Sequence, residues 1–146
     1  MTLYINTTDP EIMTVALGDE AILVAKSRIK AKYQQSEKLL KTIDKLLKTC
    51  GKVQRTLDLS QIKAIVVVNG PGPFTATRIG VATANALAYG LNIPVVGIKA
   101  SEFKNIDELI KKGECLSDKQ IAYRTSKLNI VEPFYDKEPS ITKSKK

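Results

Sequence analysis

Six residues at two places in the chain have the types and spacing to handle phosphate. Asn6 and Thr7 close a first apolar stretch, and Asn69, Gly70, Gly72 and Thr75 lie in or next to the turn Asn69-Gly70-Pro71-Gly72-Pro73-Phe74-Thr75. The turn follows the β-branched run Ala64-Ile65-Val66-Val67-Val68 and precedes an alanine-rich segment. Strand, glycine turn and helix in that order bring backbone N–H groups to a helix N-terminus, where an anion or nucleotide can bind. A Gly-Pro-Gly-Pro turn is equally a tight connector, and the chain has neither a Walker lysine nor a G-x-G-x-x-G spacing here. With no histidine anywhere, the Ser-His-Asp triad, the H-E-x-x-H zinc site and an imidazole base are excluded.

The elements that must position these residues are legible from periodicity. Residues 3–8, 12–17 and 21–26 read as three short strands separated by Asp9-Pro10 and Gly18-Asp19, an antiparallel meander. From Ser36, a candidate cap, Leu39, Leu40, Ile43, Leu46, Leu47 and Cys50 recur at helical spacing with Gly51 as the stop. That wide stripe serves either the core or a partner. Residues 64–68 form a buried strand; Thr75 is read as the cap of the next helix and Gly90 as its C′ residue. Residues 92–98 then make a second parallel strand through a right-handed crossover. Residues 106–112 read as a brief helix, 120–123 as a weak strand, and the segment with Pro133, Pro139, Lys143, Lys145 and Lys146 as an extended tail. The order is βββαβαβ, an α/β domain with a mixed sheet.

At 146 residues the chain is one domain. Its formal charge of +8 is matched by the excess between Lys26 and Arg55, where ten basic residues stand against Glu37 and Asp44. This segment is either a solvated face or a surface for a nucleic-acid backbone; Tyr33 is the one aromatic within it, so the sequence does not support base stacking. Cys50 and Cys115 form no C-x-x-C pair, and the longest apolar runs are strand-sized, so a reducing, cytoplasmic setting without membrane insertion is expected.

The run from Gly70 to Ala84, with Ala86-Leu87-Ala88 and Ile93-Pro94-Val95-Val96-Gly97, closely resembles the bacterial TsaB (YeaZ) family. Gln35-Ser36-Glu37 resembles the start of that family's first helix, and Pro133-Phe134-Tyr135 its tail. The resemblance implies the ribonuclease-H-like fold of the actin-like ATPase superfamily, a single domain with a mixed five-stranded sheet over residues 1–100. Residues 101–146 would then be a reduced C-terminal region and basic tail. It further implies a non-catalytic scaffold or activator for a TsaD-like catalytic subunit, which makes threonylcarbamoyladenosine in tRNA. Partners would be that subunit in a heterodimer, or a second copy in a homodimer, with indirect contact to tRNA.

No catalytic residue, cofactor or metal is expected. The implied contact is a helical bundle made by Gln35, Ser36, Leu39, Leu40, Ile43, Leu47, Phe74, Thr77, Arg78, Gly80 and Ala84. Ala76, Gly80, Ala84 and Leu87 would form a small-residue face, and a mid-helix glycine costs ~1 kcal/mol relative to alanine unless a close contact requires it. Pro73, Ala76 and Gln35 depart from the family pattern, and Asn6 stands where the ATPases carry an acidic metal-nucleotide residue, so no ATPase activity is expected. The readings from other classes are a small nucleotide-binding phosphotransferase using the Asn69–Thr75 loop and a tRNA-binding accessory module using the basic segment.

Overall fold

A computed structural model describes residues 1–50, 58–122 and 130–135. Five strands and three helices follow in the order β1 (Thr2–Asn6), β2 (Ile12–Asp19), β3 (Ile22–Lys30), α1 (Gln35–Thr49), β4 (Ala64–Gly70), α2 (Phe74–Leu91), β5 (Val95–Lys99) and α3 (Ile106–Ala122). The sheet runs β3-β2-β1-β4-β5; β2 is antiparallel to both β1 and β3, while β4 is parallel to both β1 and β5. The expected order βββαβαβ is the observed one, with α3 added after it. Among the described residues no helix is long and apolar enough to cross a membrane.

Side chains alternate across a strand, so each face of the sheet has its own core. Leu3, Ile5, Val15, Leu17, Ile65 and Val67 point to one face, where Leu39, Ile43, Leu46 and Leu47 of α1 and Val81, Ala84 and Ala88 of α2 close over them. Tyr4, Ala16, Val66, Val68 and Ile98 point to the other, under Leu109 and Ile110 of α3. Because β4 is covered on both faces, its run from Ala64 to Val68 is continuously apolar and buried.

Several boundaries differ from the periodic reading, each for a local reason. The first strand stops at Asn6, and the third continues to Lys30 by pairing with Ile12. Helix α1 starts at Gln35 with no side-chain cap, so Ser36 is not its cap. Helix α2 starts at Phe74 behind Pro73, so Thr75 does not cap it; it ends on Asn92, which takes the left-handed conformation (φ 54°) assigned to Gly90. The brief helix at 106–112 runs on through Gly113 to Ala122, which removes the strand expected from residue 120. Gly113 sits inside this helix for a packing reason: a Cβ there would stand 2.5 Å from Tyr4 Cε1 and 3.0 Å from Val66 Cγ2. Gly51, Lys52, Arg55, Tyr123, Pro139 and the lysines from 143 onward lie outside the described residues.

Among the described residues, the ring held by Gly113 carries a strongly raised titration. The Tyr4 hydroxyl is shared between the Ile110 carbonyl (3.0 Å) and Glu114 Oε2 (3.2 Å). Burial first, and then the charge of Glu114, hold this phenol well above its ordinary value of 10.0. The folded chain therefore keeps a proton that the unfolded chain releases, so this contribution to stability is complete below pH 10 and is lost as the pH rises beyond it. The unfolding free energy of the wild type, measured by urea titration, should fall above pH 10 by up to about 1.4 kcal/mol per pH unit more than that of Tyr4→Phe. Parallel alkaline limbs for the two proteins would contradict this.

Candidate functional site

The C-terminal ends of β1 and β4 and the N-terminus of α2 meet where the sequence places its phosphate-type residues. Asn6 Oδ1 accepts hydrogen bonds from the Thr8 amide (3.0 Å) and the Thr8 hydroxyl (2.7 Å). Thr7 is fully buried, and its hydroxyl donates to the Ala76 carbonyl in the first turn of α2 (2.7 Å). Gly72 lies against Thr8, where a Cβ would stand 2.6 Å from the carbonyl oxygen. Gly70 has φ +128° and precedes a cis peptide bond to Pro71. Thr75 is exposed on the second residue of α2.

Residues 130–135 lie across this loop. The Phe134 amide donates to the Asn69 carbonyl (2.6 Å), and Asn69 Nδ2 donates to the Glu132 carbonyl (3.0 Å). Asn85 on α2 brackets Val131, accepting from its amide (3.0 Å) and donating to its carbonyl (2.8 Å). Tyr135 stacks on Phe74 at 4.7 Å, and its hydroxyl accepts from Arg78 Nε (3.1 Å). The Arg78 guanidinium stands 4.1 Å from the centre of the Phe74 ring, and Lys99 Nζ 4.2 Å from that of Phe134. A Cβ at Gly70 would collide with the Phe134 carbonyl oxygen, so the glycine lets this segment close on the turn. The polar groups of Asn6, Thr7 and Asn69 that bond here do so within the chain. Asn69 Oδ1 and the Thr77 hydroxyl are buried without a partner.

The residues expected to form a helical contact divide sharply. Leu39, Ile43, Leu47 and Ala84 belong to the core, Gln35 and Thr77 are buried, and Gly80 is pressed against Thr7. Their burial corrects the expectation that they meet a partner: the small-residue face of Ala76, Gly80, Ala84 and Leu87 packs within its own domain. Ser36, Leu40, Phe74 and Arg78 remain exposed, Leu40 at 56%. The outward stripe of α2 is instead Arg78, Ala82, Ala86 and Tyr89, all exposed. It lies two positions from the inward stripe, about 200° around a helix of 3.6 residues per turn. Ala82, Ala86 and Tyr89 repeat the same spacing and were the signal that periodic reading passed over.

Comparison with known proteins agrees with this architecture. A family model described as TsaD: tRNA N6-adenosine threonylcarbamoyltransferase matches residues 28–113. The tRNA N6-adenosine threonylcarbamoyltransferase of Geotalea daltonii is 45% identical over 67 residues, 46% of this chain and 19% of that protein. The tRNA threonylcarbamoyladenosine biosynthesis protein TsaB of Bacillus subtilis is 32% identical over 102 residues, 70% of this chain and 42% of that protein. Among solved structures, YeaZ from Pseudomonas aeruginosa superposes with a TM-score of 0.59 at 28% identity, covering 67% of this chain and 43% of that one. The chain thus spans less than half the length of these relatives. The chain belongs to the family of that model, TsaD: tRNA N6-adenosine threonylcarbamoyltransferase, and its TsaB and YeaZ relatives support its assignment to the TsaB (YeaZ) proteins.

Proposed function

We propose that the chain is a non-catalytic, cytoplasmic subunit of the machinery that forms threonylcarbamoyladenosine in tRNA, binding a TsaD-like catalytic subunit in a heterodimer through the outward faces of α1 and α2. The observation that carries this reading is the kinship with TsaB over 70% of the chain. It is supported by the exposed apolar groups of Leu40 on α1 and Ala82, Ala86 and Tyr89 on α2, two helices that share one face of the sheet. Two alanines on an outward stripe let another helix approach closely, and flanking Leu40 and Tyr89 supply the large apolar contacts typical of interface anchors.

The test is co-purification with a TsaD-like subunit followed by sizing. Leu40→Asp and Ala86→Glu should each weaken the complex at least tenfold while leaving the unfolding free energy within about 0.5 kcal/mol of wild type, as expected of exposed sites. Full-strength binding by both variants would remove this face from the interface. Failure of the wild type to bind would end the reading. Nucleotide turnover is the weaker reading, because Asn6, Thr7 and Asn69 already bond within the chain. Calorimetry with ATP and Mg²⁺ discriminates it.

A further inference from the structure

The basic segment contains a second surface that helix-to-helix assembly does not use. Lys26, Arg28 and Lys30 alternate along β3, so all three project from one face of the sheet, and all are exposed. The residues between them, Ser27 and Ile29, turn toward the α1 layer, where Ile29 joins the core. The cations therefore stand on the α3 side of the sheet. Helix α3 reaches this edge near Gly18, where a Cβ would stand 3.0 Å from Ile110 Cγ2. Beyond that point the row Asn6, Thr14 and Arg28, which pair across three neighbouring strands, is partly or fully exposed.

Three features separate this row from an ordinary solvated face. First, among the described residues no salt bridge engages Lys26, Arg28 or Lys30, whereas Lys48 on α1 is paired with Asp44 at 2.7 Å. Second, the cations are held in line by a strand rather than spread around a helix. Residues two apart on a strand are separated by about 6.8 Å, so the three form a straight row of like charge about 13.6 Å long. Third, Lys32 and Tyr33 follow the strand in the turn that leads to α1, with Lys32 Nζ 3.9 Å from Glu11 Oε1. Tyr33 is 90% exposed at φ +60°, a conformation that a tyrosine seldom adopts, and its ring stands 5.7 Å from Lys32 Nζ. Lysines alone on an edge strand would serve to block edge-to-edge pairing. That purpose does not call for an aromatic ring projected into water beside them.

We propose that the α3-side face of β3, formed by Lys26, Arg28 and Lys30 with Lys32 and Tyr33 at its end, docks an unpaired stretch of RNA. The cations meet backbone phosphates and the Tyr33 ring stacks on a base. The ring requires an unpaired base, since a paired one is already stacked within its helix. The choice of RNA rests on the role in tRNA modification proposed above; the three strand cations project from the sheet face opposite α1 and α2.

Fluorescence anisotropy of the full chain with a labelled single-stranded RNA, in a salt series, tests the proposal. Lys26→Glu/Arg28→Glu/Lys30→Glu should lower affinity at least tenfold at 50 mM salt and reduce the slope of log K against log salt by about two. The matched variant Lys41→Glu/Lys45→Glu/Lys48→Glu on α1 makes the same charge change and should retain most of the slope. Tyr33→Ala should weaken binding severalfold and Tyr33→Phe should restore it, because stacking needs the ring and not the hydroxyl. Equal losses from the two triple variants, a flat salt slope for the wild type, or polyglutamate binding as tightly as RNA would each overturn the assignment. Binding to the TsaD-like subunit, measured separately on the β3 triple variant, should be unchanged. A loss there with RNA binding intact in Leu40→Asp would place β3 in the protein contact and overturn the RNA assignment.

Discussion

Gly80→Leu should be among the most destabilising single substitutions among the described residues, lowering folding stability by about 1–5 kcal/mol. A Cβ at residue 80 would collide with the Thr7 hydroxyl oxygen and stand 3.2 Å from Thr7 Cγ2. Thr7 has no room to retreat: it is fully buried at the end of β1, and its hydroxyl is tied to the Ala76 carbonyl one turn earlier in α2. Overpacking costs about 1–3 kcal/mol. Loss of the buried hydroxyl's partner adds about 1–3 kcal/mol, against about 1 kcal/mol gained from replacing glycine in a helix. Urea unfolding followed by far-ultraviolet circular dichroism measures the result. Thr7→Ala combined with Gly80→Ala should be more stable than the sum of the single changes, because Thr7→Ala removes the hydroxyl and Cγ2 that the Cβ added at residue 80 would meet. A Gly80→Leu protein as stable as wild type yet unable to assemble would return Gly80 to the interface.

Gly70→Ala should detach residues 130–135 from the loop and cost about 2–3 kcal/mol. Residue 70 sits at φ +128°, where a side chain is strained by about 1–3 kcal/mol. The added methyl also meets the Phe134 carbonyl oxygen, which forces open the bond from the Phe134 amide to the Asn69 carbonyl. Chymotrypsin should then cut after Phe134 and Tyr135 far faster than in the wild type. Asn85→Ala removes both bonds to Val131 without backbone strain and should accelerate the same cleavage less. Unchanged cleavage in Gly70→Ala would mean that the contact at Gly70 does not hold the segment in place.

These two glycines mark where reading the sequence succeeded and where it stopped. The apolar run before Gly70 and the alanine-rich run after Pro73 fix a strand and a helix by local chemistry, and both are present. A helix period reports which residues share a face but not what covers that face. Ala76, Gly80 and Ala84 suit a neighbouring helix or a neighbouring strand equally well, and only the position of Thr7 decides between them. The same ambiguity hid the length of α3. Gly113 resembles a helix stop until the Tyr4 ring, distant in sequence, is found against it.

The phosphate-type loop was legible as a turn, and its residues do meet in space. Its cover was not legible, because the bonds that hold Val131, Glu132 and Phe134 reach back to Asn69 and Asn85 across the sequence and carry no periodic signal. The charge of residues 26–55 was visible as a sum. Its division between a helix face, where Lys48 pairs with Asp44, and a strand row without salt bridges among the described residues follows from the strand's continuation to Lys30, which pairs with Ile12.

The central place of β1 also shapes how the molecule assembles. Among the described strands, β1 alone joins an antiparallel neighbour, β2, to a parallel one, β4. The β1–β2–β3 meander and the β4–α2–β5 crossover can each form from contacts close in sequence. The seam between them brings Thr2 beside Ala64 and Asn6 beside Val68, closing a long loop before any of its contacts is gained. Among the described strand pairings this seam encloses the longest stretch of chain, so its loop-closure cost is set by topology rather than by the strength of either half.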